Sequence, residues 1–319
     1  SKQRGRKAVD LVTLLLKKRL FSSPAAFAHT VAVYLETLER RAGRPSTVEP
    51  SDDVPEWIDE FLDDDYDDED LDQAEDDALN RAVPLQAETP GAGIEAEIAL
   101  LRRMERWALA HEAEPDAKAR ELMNYLSAVC RPDVNHWSNE RVVVFTEYRD
   151  TQRWLAGLLR QQGIDEPRLA QLHGGIAGNE REQLRLAFQA DPTEHPVRIL
   201  LATDAASEGI DLQNHCHRLV NFDIPFNPNR LEQRIGRVDR YGQREAPDIR
   251  HFVGTGWKHA VDAFEADLEF LSRVARKVAN KQADLGSVNA VLADAVQRRM
   301  LGEIADFDVD GADSSPGPD

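Results

Sequence analysis

Two cysteines, Cys130 and Cys216, are the only thiols in 319 residues. That scarcity excludes a disulfide framework and points to a reducing cytoplasm. Cys216 sits in His215-Cys216-His217. These are metal-ligand types, but adjacent residues do not converge on one zinc and no second pair stands elsewhere, so no metal site is expected. No run approaches the roughly 20 apolar residues of a membrane span. The apolar residues 11–16 are followed by Lys17-Lys18-Arg19, which is wrong for a signal peptide. Residues 49–80 lack lysine and arginine altogether while carrying 17 acidic residues. Almost the whole net charge of -19 lies there. Residues 1–48 carry +7 and residues 141–260 are neutral, so an anionic backbone is not forbidden as a partner.

A like-charge block of this kind predicts a disordered, exposed insert. Residues 49–92 are therefore read as an insert that is dispensable for folding. Trp57, Ile58, Phe61 and Leu62 form a short amphipathic anchor inside it. Before it, residues 1–48 form a helical segment. Leu11, Leu14, Leu15 and Phe21, then Phe27, Val31, Tyr34, Leu35 and Leu38, keep helical spacing over 8–20 and 24–42. Lys17-Lys18-Arg19 reads as a solvated helix end. After the insert, helices are predicted over 93–114 and 116–130, the second with Asp116 as its N-cap.

From Arg141 the pattern becomes an alternation of short apolar runs and helices. Val142-Val143-Val144-Phe145, residues 168–172, 197–201, 217–222 and 248–253 read as strands. Helices over 150–162 and 178–189 separate the first three. This pattern predicts an α/β fold with a parallel sheet and helices on both faces, with functional loops outside the carboxyl ends of the strands. The resulting lobe spans 93–256, followed by a helical extension over 257–301 and a disordered tail over 302–319.

Within residues 229–243 Arg234, Arg237 and Arg240 recur every third residue. On a helix Arg237 and Arg240 project side by side, with Gln233 one turn before Arg237. Planar guanidinium groups on one face suit a polyphosphate. The interior Gly236 argues against a plain surface helix. Upstream, Ala202-Thr203-Asp204-Ala205-Ala206-Ser207-Glu208-Gly209-Ile210-Asp211 follows the third strand and offers hydroxyls, a carboxylate and a permissive glycine. Gly174-Gly175 ends the second strand, where backbone amides can approach a phosphate. His173 beside it is read as ordering that loop rather than as a catalytic base.

These stretches carry a resemblance. Gln233 through Gln243 resembles motif VI of superfamily-two helicases in the Swi/Snf and RapA-like variant, with Gln233 in place of a histidine and Arg240-Tyr241-Gly242-Gln243 as the ending. Residues 202–211 resemble motif V, Val144-Phe145-Thr146-Glu147-Tyr148 motif IV, and Leu172-His173-Gly174-Gly175 with Arg181 the neighbouring motif IVa. The resemblance implies a RecA-like lobe. It gives Arg237 and Arg240 the role of arginine fingers and puts Gln233, Gly209 and Asp211 on the ATP side. Thr203, Thr146, Gly174, Gly175 and Arg181 go to the nucleic acid, expected to be duplex DNA. No Gly-Lys-Ser or Gly-Lys-Thr occurs, so the phosphate loop that such phosphoryl transfer needs is missing. ATP and Mg²⁺ are then held mainly by a first RecA-like lobe, expected elsewhere in a longer protein. A regulatory, non-enzymatic lobe and an RNA helicase lobe are the alternatives. Residues 15–27 and 256–260 are similar to the Swi/Snf-like helicase of the DISARM phage-defence system, which implies defence proteins as partners.

Overall fold

The computed structural model describes residues 2–42, 57–58, 61, 68–85, 91–133, 135–204, 212–254, 263–280, 286–305 and 307–312. The chain divides into two compact units: residues 1–115 with 148–154, and residues 116–147 with 155–319. Among the described residues no helix is long and apolar enough to cross a membrane.

The first unit is helical, built from α1 (Lys2–Ser22), α2 (Pro24–Ala42), α3 (Asp68–Ala82), a single 3-10 turn (Val83–Leu85) and α4 (Gly91–Glu112). Leu11, Leu15, Phe27, Val31 and Leu38, read from their helical spacing, lie in its core with Leu79, Ala82, Leu101 and Ala108. Helix α3 is a correction. It falls inside the segment read as disordered, yet Leu71, Ala78, Leu79 and Ala82 share a buried face. Ile58 also belongs to this core, with Trp57 and Phe61 packed against it. Leu62 lies outside the described residues.

Charge composition misled because it counts like charges without asking what lies opposite them. Glu75 sits in the buried stripe of α3, 2% exposed. Arg19 Nε donates to its Oε2 at 3.0 Å and Lys18 Nζ to its Oε1 at 2.8 Å. Arg19 also pairs with Asp72 at 3.0 Å and lies 4.0 Å from the Tyr148 ring centre. The basic triplet at the end of α1 is therefore no solvated helix end: Lys18 and Arg19 supply the counter-charge that lets an acidic helix pack.

The second unit holds a five-stranded sheet. Its elements are α5 (Ala117–Cys130), β1 (Val142–Thr146), α6 (Arg149–Gln161, whose first residues group with the first unit), β2 (Leu169–Leu172), α7 (Gly178–Gln189), β3 (Ile199–Thr203), β4 (Arg218–Asn221), α8 (Pro228–Ile235), β5 (Asp248–His251), α9 (Ala263–Asn280) and α10 (Gly286–Met300). Asp116 caps α5, its carboxylate accepting from Ala119 N at 2.7 Å. The strand order is β2-β3-β1-β4-β5 and every pairing is parallel. Val142 pairs with Ile199 on one side and Arg218 on the other. β1 and β3 are buried along their whole length, as strands covered on both faces must be. The mixed α/β fold, a parallel sheet flanked by helices with helical additions, agrees with the pattern of short apolar runs. The buried Arg141 side chain donates to the carbonyls of Ala187, Phe188 and Ala190, so it serves the last turn of α7, whose terminal carbonyls lack helical partners.

Sequence order places β2 and β3 on one side of β1, and β4 and β5 on the other. Such a reversal opens a crevice at the carboxyl ends of the central strands.

Candidate functional site

Three carboxyl ends meet at that crevice. β1 ends in Thr146, β3 is followed by Asp204, and β4 is followed by Phe222 and Asp223. Asp223 ties β1 to β4: its Oδ2 accepts from Thr146 Oγ1 at 2.7 Å and its Oδ1 from Glu147 N at 2.8 Å.

Helix α8 delivers a cation to the same place. Asn227 caps it, accepting from Asn229 N at 2.9 Å, and Pro228 opens its first turn, a position where proline's missing N–H costs nothing. Leu231 and Arg234, three residues apart, share the buried face. Arg234 Nη2 donates to Asp204 Oδ2 at 2.6 Å, and its Nε donates to the other oxygen of that carboxylate. Nη1 donates to Asp223 O at 2.9 Å and Asn221 Oδ1 at 3.2 Å. Burial alone would depress this guanidinium's pKa; the Asp204 and Asp223 carboxylates outweigh it and hold it well above the ordinary range. Arg234 therefore differs from its two companions. It is a buried tie between the loops after β3 and β4 and the start of the arginine-bearing segment.

The continuous helix expected through Arg240 is not formed. α8 stops at Ile235 with Gly236 as its C-cap, and turns follow. Arg237 N donates to Arg234 O at 3.1 Å, Val238 N to Ile235 O at 3.0 Å, and Gln243 N to Arg240 O at 3.0 Å. Glycine is a poor helix former, and burying Val238 in the sheet's core bends the segment inward. Arg237 is half-buried, Arg240 exposed, and Gln233 exposed on α8. The two arginines therefore do not share one regular helical face with Gln233. Gly242 has φ 98°, a conformation that favours glycine.

Thr203 is buried at the end of β3, and Thr146 is fully buried with its hydroxyl on Asp223. The geometry gives Thr146 a task inside the lobe. Gly174 and Gly175 follow β2, at the sheet edge, in a turn closed by Ile176 N on His173 O at 3.2 Å. Arg181 lies half-buried in α7. β2 is paired with β3, the strand that Asp204 follows. Gly209 and Asp211 lie outside the described residues. Sequence reasoning assigned no role to Asp204, Asp223 or Asn221. The available signal was an aspartate directly after two of the apolar strand runs, facing a helix with an arginine on its apolar side.

Among the described residues no cluster of three or more His, Cys, Asp or Glu side chains is placed to hold a metal. Both thiols are buried. Cys216 Sγ lies 3.4 Å from the carbonyls of Arg141 and Arg218, and burial pushes both thiols up to about 12. Little reactive thiolate is then present near neutral pH. Native protein is expected to resist a thiol reagent that modifies both cysteines at once in urea; rapid native labelling would contradict this burial.

Residues 117–242 match the family model described as the helicase conserved C-terminal domain. The chain is 38% identical over 124 residues to the uncharacterized ATP-dependent helicase YqhH of Bacillus subtilis, a match covering 39% of this chain and 20% of that protein. It is 35% identical over 159 residues to the RNA polymerase-associated protein RapA of Yersinia enterocolitica, covering 47% and 15%. The chain thus spans about a fifth or less of the length of these relatives. Over residues 117–242 the chain is thus similar to superfamily-two helicase C-terminal lobes, and its parallel sheet flanked by helices agrees with a RecA-like lobe.

Proposed function

We propose that the chain supplies the second RecA-like lobe of an ATP-dependent translocase on duplex DNA, working with a first lobe that carries the phosphate loop. The observation that supports this best is the arginine-bearing segment seated beside the carboxyl ends of the central strands, anchored there by Arg234 on Asp204 and Asp223. The fit to ATP and Mg²⁺ is partial. Arg237 and Arg240 suit the outer oxygens of a polyphosphate, whereas the sequence lacks a phosphate loop. The nucleotide, when bound, supplies the phosphoryl group whose transfer drives movement. In this reading Arg237 and Arg240 stabilise charge developing on that group. On the same reading Gln233 is assigned to the nucleotide side, where the resemblance also puts Gly209 and Asp211, and Thr203, Gly174, Gly175 and Arg181 are assigned to the nucleic acid. Gln233 and Gln243 in the arginine motif favour the DNA-translocating type over an RNA helicase. A role in defence is proposed only on the resemblance of residues 15–27 and 256–260, the second of which lies outside the described residues.

The purified chain alone is expected to show no ATP hydrolysis, with or without DNA. Robust turnover abolished by Mg²⁺ chelation would overturn the single-lobe reading. Joined to its first lobe, the ATPase is expected to respond to duplex DNA; stimulation by RNA alone would favour the RNA helicase, and intact nucleic-acid binding without turnover the regulatory lobe.

A further inference from the structure

The segment between α8 and β5 is unusual in how little of it is buried. Of residues 236–242 only Val238 reaches the core, and Tyr241 is 100% exposed. A short exposed segment carrying three charged side chains would ordinarily sample many conformations. Here both ends are tied. The near end is held by Arg234, and the far end by Gln243. The Gln243 Nε2 donates to Cys216 O at 3.0 Å and to Val238 O at 2.9 Å. Its Oε1 accepts from Arg244 N at 2.9 Å and Glu245 N at 3.1 Å. A glutamine amide has two N–H donors and one oxygen with two acceptor positions, and all are used. The amide joins the residue before β4's lead-in, the middle of the arginine segment, and the chain beyond it.

We infer that Gln243 is a positioning residue that fixes the far end of the segment bearing Arg237 and Arg240; the inference rests on reading those arginines as nucleotide-facing. It does not touch the nucleotide. It acts by holding the backbone from Val238 to Glu245 in one arrangement, with Gly242 supplying the positive φ that the turn requires. Preorganised donors help catalysis only when they stay in place as charge develops. A misplacement of about 1 Å costs about 10²-fold in rate.

The test uses the ATPase assembled with its first lobe and compares Gln243→Met, Gln243→Glu and Arg237→Ala with the parent protein. Gln243→Met keeps length and removes the hydrogen bonds; Gln243→Glu sets a carboxylate against two carbonyl oxygens. Both are expected to lower kcat about 10²-fold, with KM for ATP and duplex-DNA affinity within about twofold. Circular dichroism and active-fraction DNA titration report the folded protein, and kcat is expressed per folded molecule. Parent-like kcat per folded molecule in Gln243→Met would overturn the positioning role. So would a loss carried wholly by KM. Arg237→Ala separates this from the underlying reading: its normal turnover removes the reading, whereas its inactivity beside a fully active Gln243→Met removes Gln243 alone.

Discussion

Arg237→Ala and Arg240→Ala, each made in the ATPase assembled with its first lobe, are expected to lower kcat for ATP hydrolysis by roughly 10³-fold or more, the scale of an arginine finger. Duplex-DNA affinity is expected to change little, because both residues belong to the segment assigned to the nucleotide side. Three arginines with the same spacing have different surroundings. Arg234 is buried and committed to Asp204, Asp223 and Asn221, so its loss is felt in the fold. Arg240 is exposed, and substitution at an exposed surface position usually moves stability by no more than about 0.5 kcal/mol. An Arg240→Ala protein that melts like the parent and hydrolyses ATP at the parental rate would remove the finger assignment.

The second large effect concerns the first unit. Glu75→Gln is expected to destabilise it by about 3 kcal/mol, the low end of the cost of breaking a buried pair, because Arg19 keeps its contact with Asp72. Arg19 is fully buried on Glu75, and Tyr148 Oη donates to the same carboxylate at 3.2 Å. Urea unfolding followed by tryptophan fluorescence measures the change. A shift below about 1 kcal/mol would mean that the pair behaves as a surface contact. Burial works to raise the Glu75 pKa, but Lys18 and Arg19 pull harder and hold it below the ordinary 4.5. Its contribution is therefore fully present above the unfolded value and lost as pH falls through the lower folded one. Deleting residues 68–82 removes the same carboxylate together with Leu71, Ala78, Leu79 and Ala82, and is expected to unfold the unit rather than leave its melting unchanged.

The sheet was legible because its strands are short, apolar and punctuated: Val142-Val143-Val144-Phe145 has no helical reading, and the helices between strands keep their own period. The observed strands differ from the expected ones by one or two residues, as at β3, which runs to Thr203 rather than ending at Leu201. Two other features were not legible. The stop of α8 at Ile235 depends on Val238 turning into a core that only the folded sheet provides. The ordering of α3 depends on cations 56 and 57 residues away, which no local charge count can reveal. At the site, the recurring arginines were visible from their spacing, while the aspartates that bind Arg234 were not. Asp204 and Asp223 acquire meaning only when parallel pairing sets the ends of β1, β3 and β4 side by side.

The arginine-finger role is tested most sharply by the turnover of Arg237→Lys in the assembled ATPase, measured with duplex DNA present and alongside its melting temperature. Lysine keeps the positive charge and a long apolar stem but replaces the planar fork with a point charge. Turnover is expected to fall at least about 10²-fold while melting and DNA affinity stay close to those of the parent. Parental turnover in a folded Arg237→Lys protein would contradict it.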